Sequence, residues 1–157
     1  MEENNDDFQI TVYYHYEVSD WFKNSIVYQI FPDRFYNPQK WPIDTKPNSF
    51  IYSSFDDLPM NIINEKKELV RQDFYGGNLQ GVIEKLPYLH SLGINCIYFN
   101  PIFESSSCHK YNTKDYLKID SMLGDEEVFL KLVDEAEKYD INIILDGVFN
   151  HTGDDSL

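Results

Sequence analysis

Positive charge is scarce in this sequence: 13 Lys and Arg face 27 Asp and Glu, giving a formal net charge of −14. Affinity for nucleic acid rests on clustered Lys and Arg, so this balance argues against a nucleic-acid partner. Cysteine is scarcer still. Cys96 falls in an apolar run and Cys108 in a polar one, so no disulfide framework is implied and a reducing compartment is expected. Long apolar runs are missing as well. No segment approaches the length of a membrane span, and residues 1–7 are acidic, without the apolar stretch of a signal peptide. With Met1 as the true start, a soluble, cytoplasmic protein with no membrane partner is expected.

Motifs for metals and phosphates are also lacking. His15, His90, His109 and His151 show no H-E-x-x-H spacing, and the two cysteines make no C-x-x-C pair, so zinc is not expected. There is no dense Asp/Asn/Gly loop of EF-hand type. Calcium held by Asn150 or by oxygens of the long loop described below is the one metal left open, and no cofactor is otherwise expected. Gly76-Gly77-Asn78-Leu79-Gln80-Gly81 opens a helical pattern but lacks both the Lys-Ser/Thr ending of a phosphate loop and the G-x-G-x-x-G spacing. A tight turn needing positive φ is the better account of it.

What the chain does have is apolar and aromatic material. At 157 residues and 42% hydrophobic, it can fill the core of one domain or part of one. Its twelve Tyr, eleven Phe and two Trp serve mainly that core, though flat rings can also stack on sugars. Residues 8–13 alternate and read as a lone strand, and residues 26–31 as a second, more apolar one. Residues 37–73 show no period and are punctuated by prolines. With Trp41, Phe50, Tyr52 and Phe55 they read as a loop rich in contacts. Val82, Ile83, Leu86, Leu89 and Leu92 mark one helical face, interrupted by Pro87 and stopped by Gly93. Pro87 requires that helix to bend or to start late. Residues 94–99 form a strand covered on both faces, and a loop follows to about Gly124. An acidic first turn, Asp125-Glu126-Glu127, then opens an amphipathic helix through Val128, Phe129, Leu132, Val133 and Ala136. A third strand is expected over residues 141–150. The order strand, helix, strand, helix, strand indicates parallel pairing with right-handed crossovers.

That third run ends Asp146-Gly147-Val148-Phe149-Asn150-His151, which sets an acid, an amide and an imidazole at the carboxyl edge of a sheet, where α/β enzymes assemble their sites. The segment His109-Lys110-Tyr111-Asn112-Thr113-Lys114-Asp115-Tyr116 lies in the loop after the preceding strand, on the same edge. Two such loops can converge on one pocket.

With these two segments, three more motifs carry a family resemblance: Tyr28-Gln29-Ile30-Phe31-Pro32-Asp33-Arg34-Phe35, Phe74-Tyr75-Gly76-Gly77-Asn78-Leu79-Gln80-Gly81, and Tyr98-Phe99-Asn100-Pro101-Ile102-Phe103. In this order the five resemble the start of the catalytic barrel of the alpha-amylase family of glycoside hydrolases, family 13, on its neopullulanase, cyclomaltodextrinase and pullulanase side. The resemblance implies an α/β fold, a partial (β/α)8 TIM barrel covering roughly the first three βα units. Residues 21–157 would be the N-terminal part of that barrel. Residues 1–20 would be a remnant of an N-terminal β domain and a linker, because residues 8–13 resemble the last strand of the preceding β-sandwich.

Such enzymes cleave or transfer α-glucosidic bonds with retention, using a carboxylate nucleophile and a carboxylic acid. By resemblance, Tyr111 stacks on the sugar at the cleavage subsite, with His109 beside it in the same motif, and His151 hydrogen-bonds the primary hydroxyl. Asp146 orients its neighbours and Asn150 supports the loop. The substrate class is α-glucan or maltooligosaccharide. In the family the nucleophile and the acid follow later barrel strands, and a complete barrel takes ~250 residues, so the catalytic carboxylates are expected beyond Leu157. Four positions depart from the family pattern: Asn112 for a usual Asp, Cys108 for an Asn, Asn78 for an Asp, and Asp140 where Gly ends the helix. Asp140 should destabilise modestly, opposing the helix dipole and lacking glycine's freedom at positive φ. Three readings stay open: a truncated glucan-degrading enzyme, a carbohydrate-binding protein without chemistry, and a subunit that docks with a separately encoded remainder of the barrel.

Overall fold

A computed structural model describes residue 12 and residues 17–38, 46–60 and 62–157. Apart from Val12, the strand expected over residues 8–13 lies outside the described residues, as do His15 and Trp41. Among the described residues the elements run α1 (Asp20–Lys23), β1 (Val27–Ile30), β2 (Ser49–Ile51), β3 (Gln72–Phe74), α2 (Leu79–Ser91), β4 (Cys96–Phe99), β5 (Phe103–Ser105), β6 (Thr113–Ile119), α3 (Glu126–Glu137) and β7 (Asn142–Leu145).

The central sheet has the order β1-β4-β7, all parallel, as the strand-helix alternation predicts. Its register aligns Ile30 with Phe99 and Phe99 with Leu145. Side chains alternate across a pleated sheet. Ile30, Ile97 and Phe99, with Ile143 and Leu145, therefore face one way and pack under Leu79, Val82, Leu86 and Leu89 of α2 and Val128, Leu132 and Ala136 of α3. The opposite face carries Gln29, Tyr98 and Ile144 side by side.

Side-chain caps not named from the sequence start both long helices, and the end expected at Gly93 is in place. The Asn78 side chain caps α2 by accepting from Gly81 N (2.9 Å), and Asp125 caps α3 by accepting from Val128 N (2.9 Å). At the end of α2, Ile94 N donates to Leu89 O, Gly93 N donates to His90 O, and Gly93 has φ +80, which together form a Schellman motif. The same pair of bonds closes α3, Ile141 N to Ala136 O and Asp140 N to Glu137 O, with Asp140 at φ +54 in glycine's usual place. Pro87 lies inside α2, which begins directly after its cap rather than late.

Three expectations need correction. The third strand stops at Leu145 instead of Asn150, because its partner β4 ends at Phe99; the last ladder bond runs from Asp146 N to Phe99 O (3.0 Å). Residues 37–73 are not wholly irregular: β2 and β3 pair in parallel there, and Ile63 bridges Leu69. The stretch before Gly124 contains the antiparallel pair β5 and β6. The contacts expected of the long loop are present, with Tyr52 stacked on Tyr75 (4.9 Å) and flanked by Phe50.

The glycine-rich segment is a packing device. Gly76 has φ +76, while a Cβ on Gly77 would meet Pro32 O at 2.2 Å and one on Gly81 would meet Tyr36 O at 2.1 Å. The turn after β1 is thereby locked to the start of α2. Asp33, 3% exposed, completes the lock by accepting from Tyr75 N (3.0 Å) and Gly76 N (3.0 Å).

Candidate functional site

Beyond the C-terminal ends of β4 and β7 the pleat brings Asn100 and Asp146 to the helix-free side, two residues past Tyr98 and Ile144. Tyr111 reaches this edge from the loop between β5 and β6 and donates its hydroxyl proton to Asp146 Oδ2 at 2.9 Å. Burial, then the Asp146 carboxylate, push the phenols of Tyr111 and Tyr98 above the usual tyrosine value. The Tyr111 phenol thus stays a neutral donor, with Asp146 as its acceptor.

His109 stacks on Tyr111, ring centroids 6.0 Å apart and 27° between planes. Its Nδ1 accepts from Tyr111 N (3.1 Å), so the neutral ring carries its proton on Nε2. Burial, then the Lys110 ammonium, hold this imidazole below the ordinary histidine value, which suits the acceptor role.

Asn150 and His151 sit on the neighbouring loop, joined by Asn150 Nδ2 to His151 Nδ1 (3.4 Å). That loop is strapped to the Tyr111 segment. Gly153 N donates to Thr113 O (2.8 Å), and the Tyr116 hydroxyl sits on the carbonyls of Val148 and His151 (3.2 Å to the latter). The structure therefore joins Tyr111, Asp146 and His109 directly, and brings the Asn150–His151 pair alongside through the backbone.

What sequence reading missed is the support beneath this rim. Lys110 is 1% exposed, and its ammonium pairs with the wholly buried Asp120 (2.9 Å), which also takes Lys46 and Ser105 N. Burial pulls the Lys110 ammonium downward and Asp120 pulls it back up. Lys46 also pairs with Glu104 (2.7 Å), tying the long first loop to the β5–β6 pair. A lysine in a polar stretch gives no sign of burial, since lysines are almost never buried unless paired. Asn112, where an acid was expected, still anchors the loop. Its Oδ1 accepts from the hydroxyls of Ser105 (2.8 Å) and Ser107, and its Nδ2 donates to Ser106 (2.8 Å).

Among the described residues no group of three or more His, Cys, Asp or Glu could hold a metal ion, and no helix is long and apolar enough to cross a membrane. The acids nearest the motifs are already engaged. Asp33 and Asp120 are buried in the bonds above, Asp115 accepts from Leu117 N (2.8 Å), and Asp146 holds Tyr111. The arrangement can present an aromatic face, an imidazole donor and a carboxylate to a polyol.

Comparison with known proteins gives the family of the chain. Residues 29–156 match the alpha-amylase profile, described as alpha amylase, catalytic domain. An amylopullulanase of Thermoanaerobacterium saccharolyticum is 47% identical over 98% of the chain, and neopullulanase 2 of Thermoactinomyces vulgaris is 47% identical over 86%. The chain spans 13% and 21% of the lengths of these relatives. Among solved structures, a cyclic alpha-maltosyl-(1→6)-maltose hydrolase of Arthrobacter globiformis in complex with maltose superposes with a TM-score of 0.70. It is 37% identical, and the match covers 88% of this chain and 28% of that one.

Proposed function

The chain belongs to the alpha-amylase catalytic-domain family, and from that premise we propose that it is the sugar-gripping part of a retaining glycoside hydrolase acting on α-1,4- and α-1,6-glucosidic bonds of starch, pullulan or maltodextrin. The observation that carries this reading is the 2.9 Å bond from Tyr111 to Asp146, with His109 stacked alongside, at the carboxyl edge of a parallel sheet. The Tyr111 ring supplies the apolar face on which a glucose ring lies. The His151 imidazole hydrogen-bonds the primary hydroxyl, held by Asn150. Asp146 fixes Tyr111, and His109 backs it.

Residues 21–157 are read as the first three βα units of the barrel. Retention needs two carboxyl groups about 5–5.5 Å apart across the scissile bond. By resemblance to the family, in which both groups follow later barrel strands, the nucleophile and the proton donor are assigned to polypeptide outside these 157 residues, either continuous with them or on a partner. The step itself is cleavage of the glycosidic C–O bond. The donor protonates the leaving oxygen, the nucleophile takes the anomeric carbon, and water later releases the sugar. No cofactor enters. The two free thiols suit a reducing, cytoplasmic setting.

Titration of the 157-residue chain with maltotriose, followed by amide resonances, tests the assignment. Shifts concentrated at residues 109–112 and 146–151 are expected, and none at tens of millimolar sugar overturns it. Incubated with pullulan, the purified chain should release no reducing sugar. Measurable release would place the chemistry on this chain after all.

A further inference from the structure

The edge holds a directed chain of hydrogen bonds that crosses all three strands of the central sheet. Gln29 Nε2 donates to Asn100 Oδ1 at 2.9 Å, Asn100 Nδ2 donates to the Tyr111 hydroxyl oxygen at 3.4 Å, and that hydroxyl donates to Asp146 Oδ2 at 2.9 Å. Its polarity is forced from one end. An ionised carboxylate only accepts, so the single proton of Tyr111 is committed to Asp146. The Tyr111 oxygen can then accept but not donate to Asn100, which must present its NH2. That turns the Asn100 carbonyl toward Gln29, and Gln29 must answer with its own NH2. Each amide has one orientation that satisfies both neighbours.

We propose that Gln29 and Asn100 are positioning residues that fix the aim of the Tyr111 ring, Asn100 by gripping its hydroxyl and Gln29 by holding the Asn100 amide the right way round. This rests on the reading of Tyr111 as the sugar platform. Gln29 is exposed on β1 and fills no core, so its contribution lies in this relay.

The test compares Gln29→Glu with Gln29→Lys in the 157-residue chain, dilute and at low salt, where its net charge of −14 keeps molecules apart. Both replace an exposed amide with a charged chain of similar bulk, but Glu only accepts and Lys only donates. With Glu at position 29, Asn100 turns its NH2 inward and its carbonyl competes with Asp146 for one hydroxyl proton. The Tyr111 ζ-carbon resonance should move and maltotriose should bind about tenfold more weakly, the scale of one lost hydrogen bond. Lys keeps the polarity, so resonance and affinity should stay near the parent values. A merely structural role would move the two variants alike; equal effects, or no effect from either, overturn the proposal. Should Gln29→Glu fail to fold, Asn100→Asp poses the same acceptor-only question one link along, and its resonance is read in the same way. If the parent chain does not respond to maltotriose, the sugar-platform reading falls, while the split between Glu and Lys at the Tyr111 resonance still decides the relay.

Discussion

At the scale of the single residue, Asp146 is the group on which most of the rim converges. Asp146→Asn removes the charge that, after burial, raises the Tyr111 phenol. The phenol should then titrate lower than in the parent while staying above the ordinary tyrosine value, because burial remains. A carbon-detected titration of Tyr111 checks this. His109 makes a second prediction. Its folded-state value is depressed, so between that value and about 6.5 the unfolded chain binds more protons, and stability rises with pH through the window. Acidification from 6.5 downward should therefore loosen the loop, since Nδ1 cannot accept from Tyr111 N once protonated. His109→Phe should flatten that part of a stability-against-pH curve, while a parent curve without a slope there would contradict the acceptor role.

Among the elements, the helix ends give the sharpest expectations. Asp140 holds φ +54 at the end of α3, where Gly93 serves α2 at φ +80. Asp140→Gly should stabilise by about 1 kcal/mol by relieving the left-handed conformation and removing a negative charge from the helix C-terminus. Gly93→Ala should destabilise by about 1 kcal/mol for the converse reason. Urea denaturation of both variants checks the signs. These ends were legible because local chemistry determines them, as were the central strands, whose apolar runs are long enough to show. The short partners β2, β3 and β5 were not, since three residues carry no period. Seven-residue β6 offered Thr113, Tyr116 and Ile119, but its partner holds only three residues and its register shifts twice. At the site, Tyr111, Asp146 and His109 were readable from motif order. The relay through Gln29 was not, because the sequence places Gln29 71 residues from Asn100 and only the parallel register joins them.

For the whole molecule, the decisive feature is what its central sheet leaves open. Among the described residues, β1 and β7 each pair on one side only, and beside β7 runs a 590 Å³ groove in which Phe129, Val133, Ile143 and Leu145 are joined by Glu137 and Asp140. Ile26, Leu117 and Phe149 are exposed as well. Unpaired edges and apolar surface favour association, while the net charge of −14 opposes it. Sedimentation of the isolated chain should therefore show mass growing with concentration and with added salt, which screens the repulsion. A monodisperse monomer with one cooperative thermal transition at all salt concentrations would count against this.

The lock between Asp33 and the glycine turn also carries a timing. Its partners Asp33 and Gly76 lie 43 residues apart, and until Gly76 arrives the buried carboxylate of the turn after β1 has only the neighbouring Arg34 to pair with. At ~5–20 residues per second of synthesis, the ribosome takes about 2–9 seconds to bridge that gap. The N-terminal strand must wait out this interval in the company of nascent apolar chain, so slow translation through residues 37–76 would lengthen its exposure to chaperones.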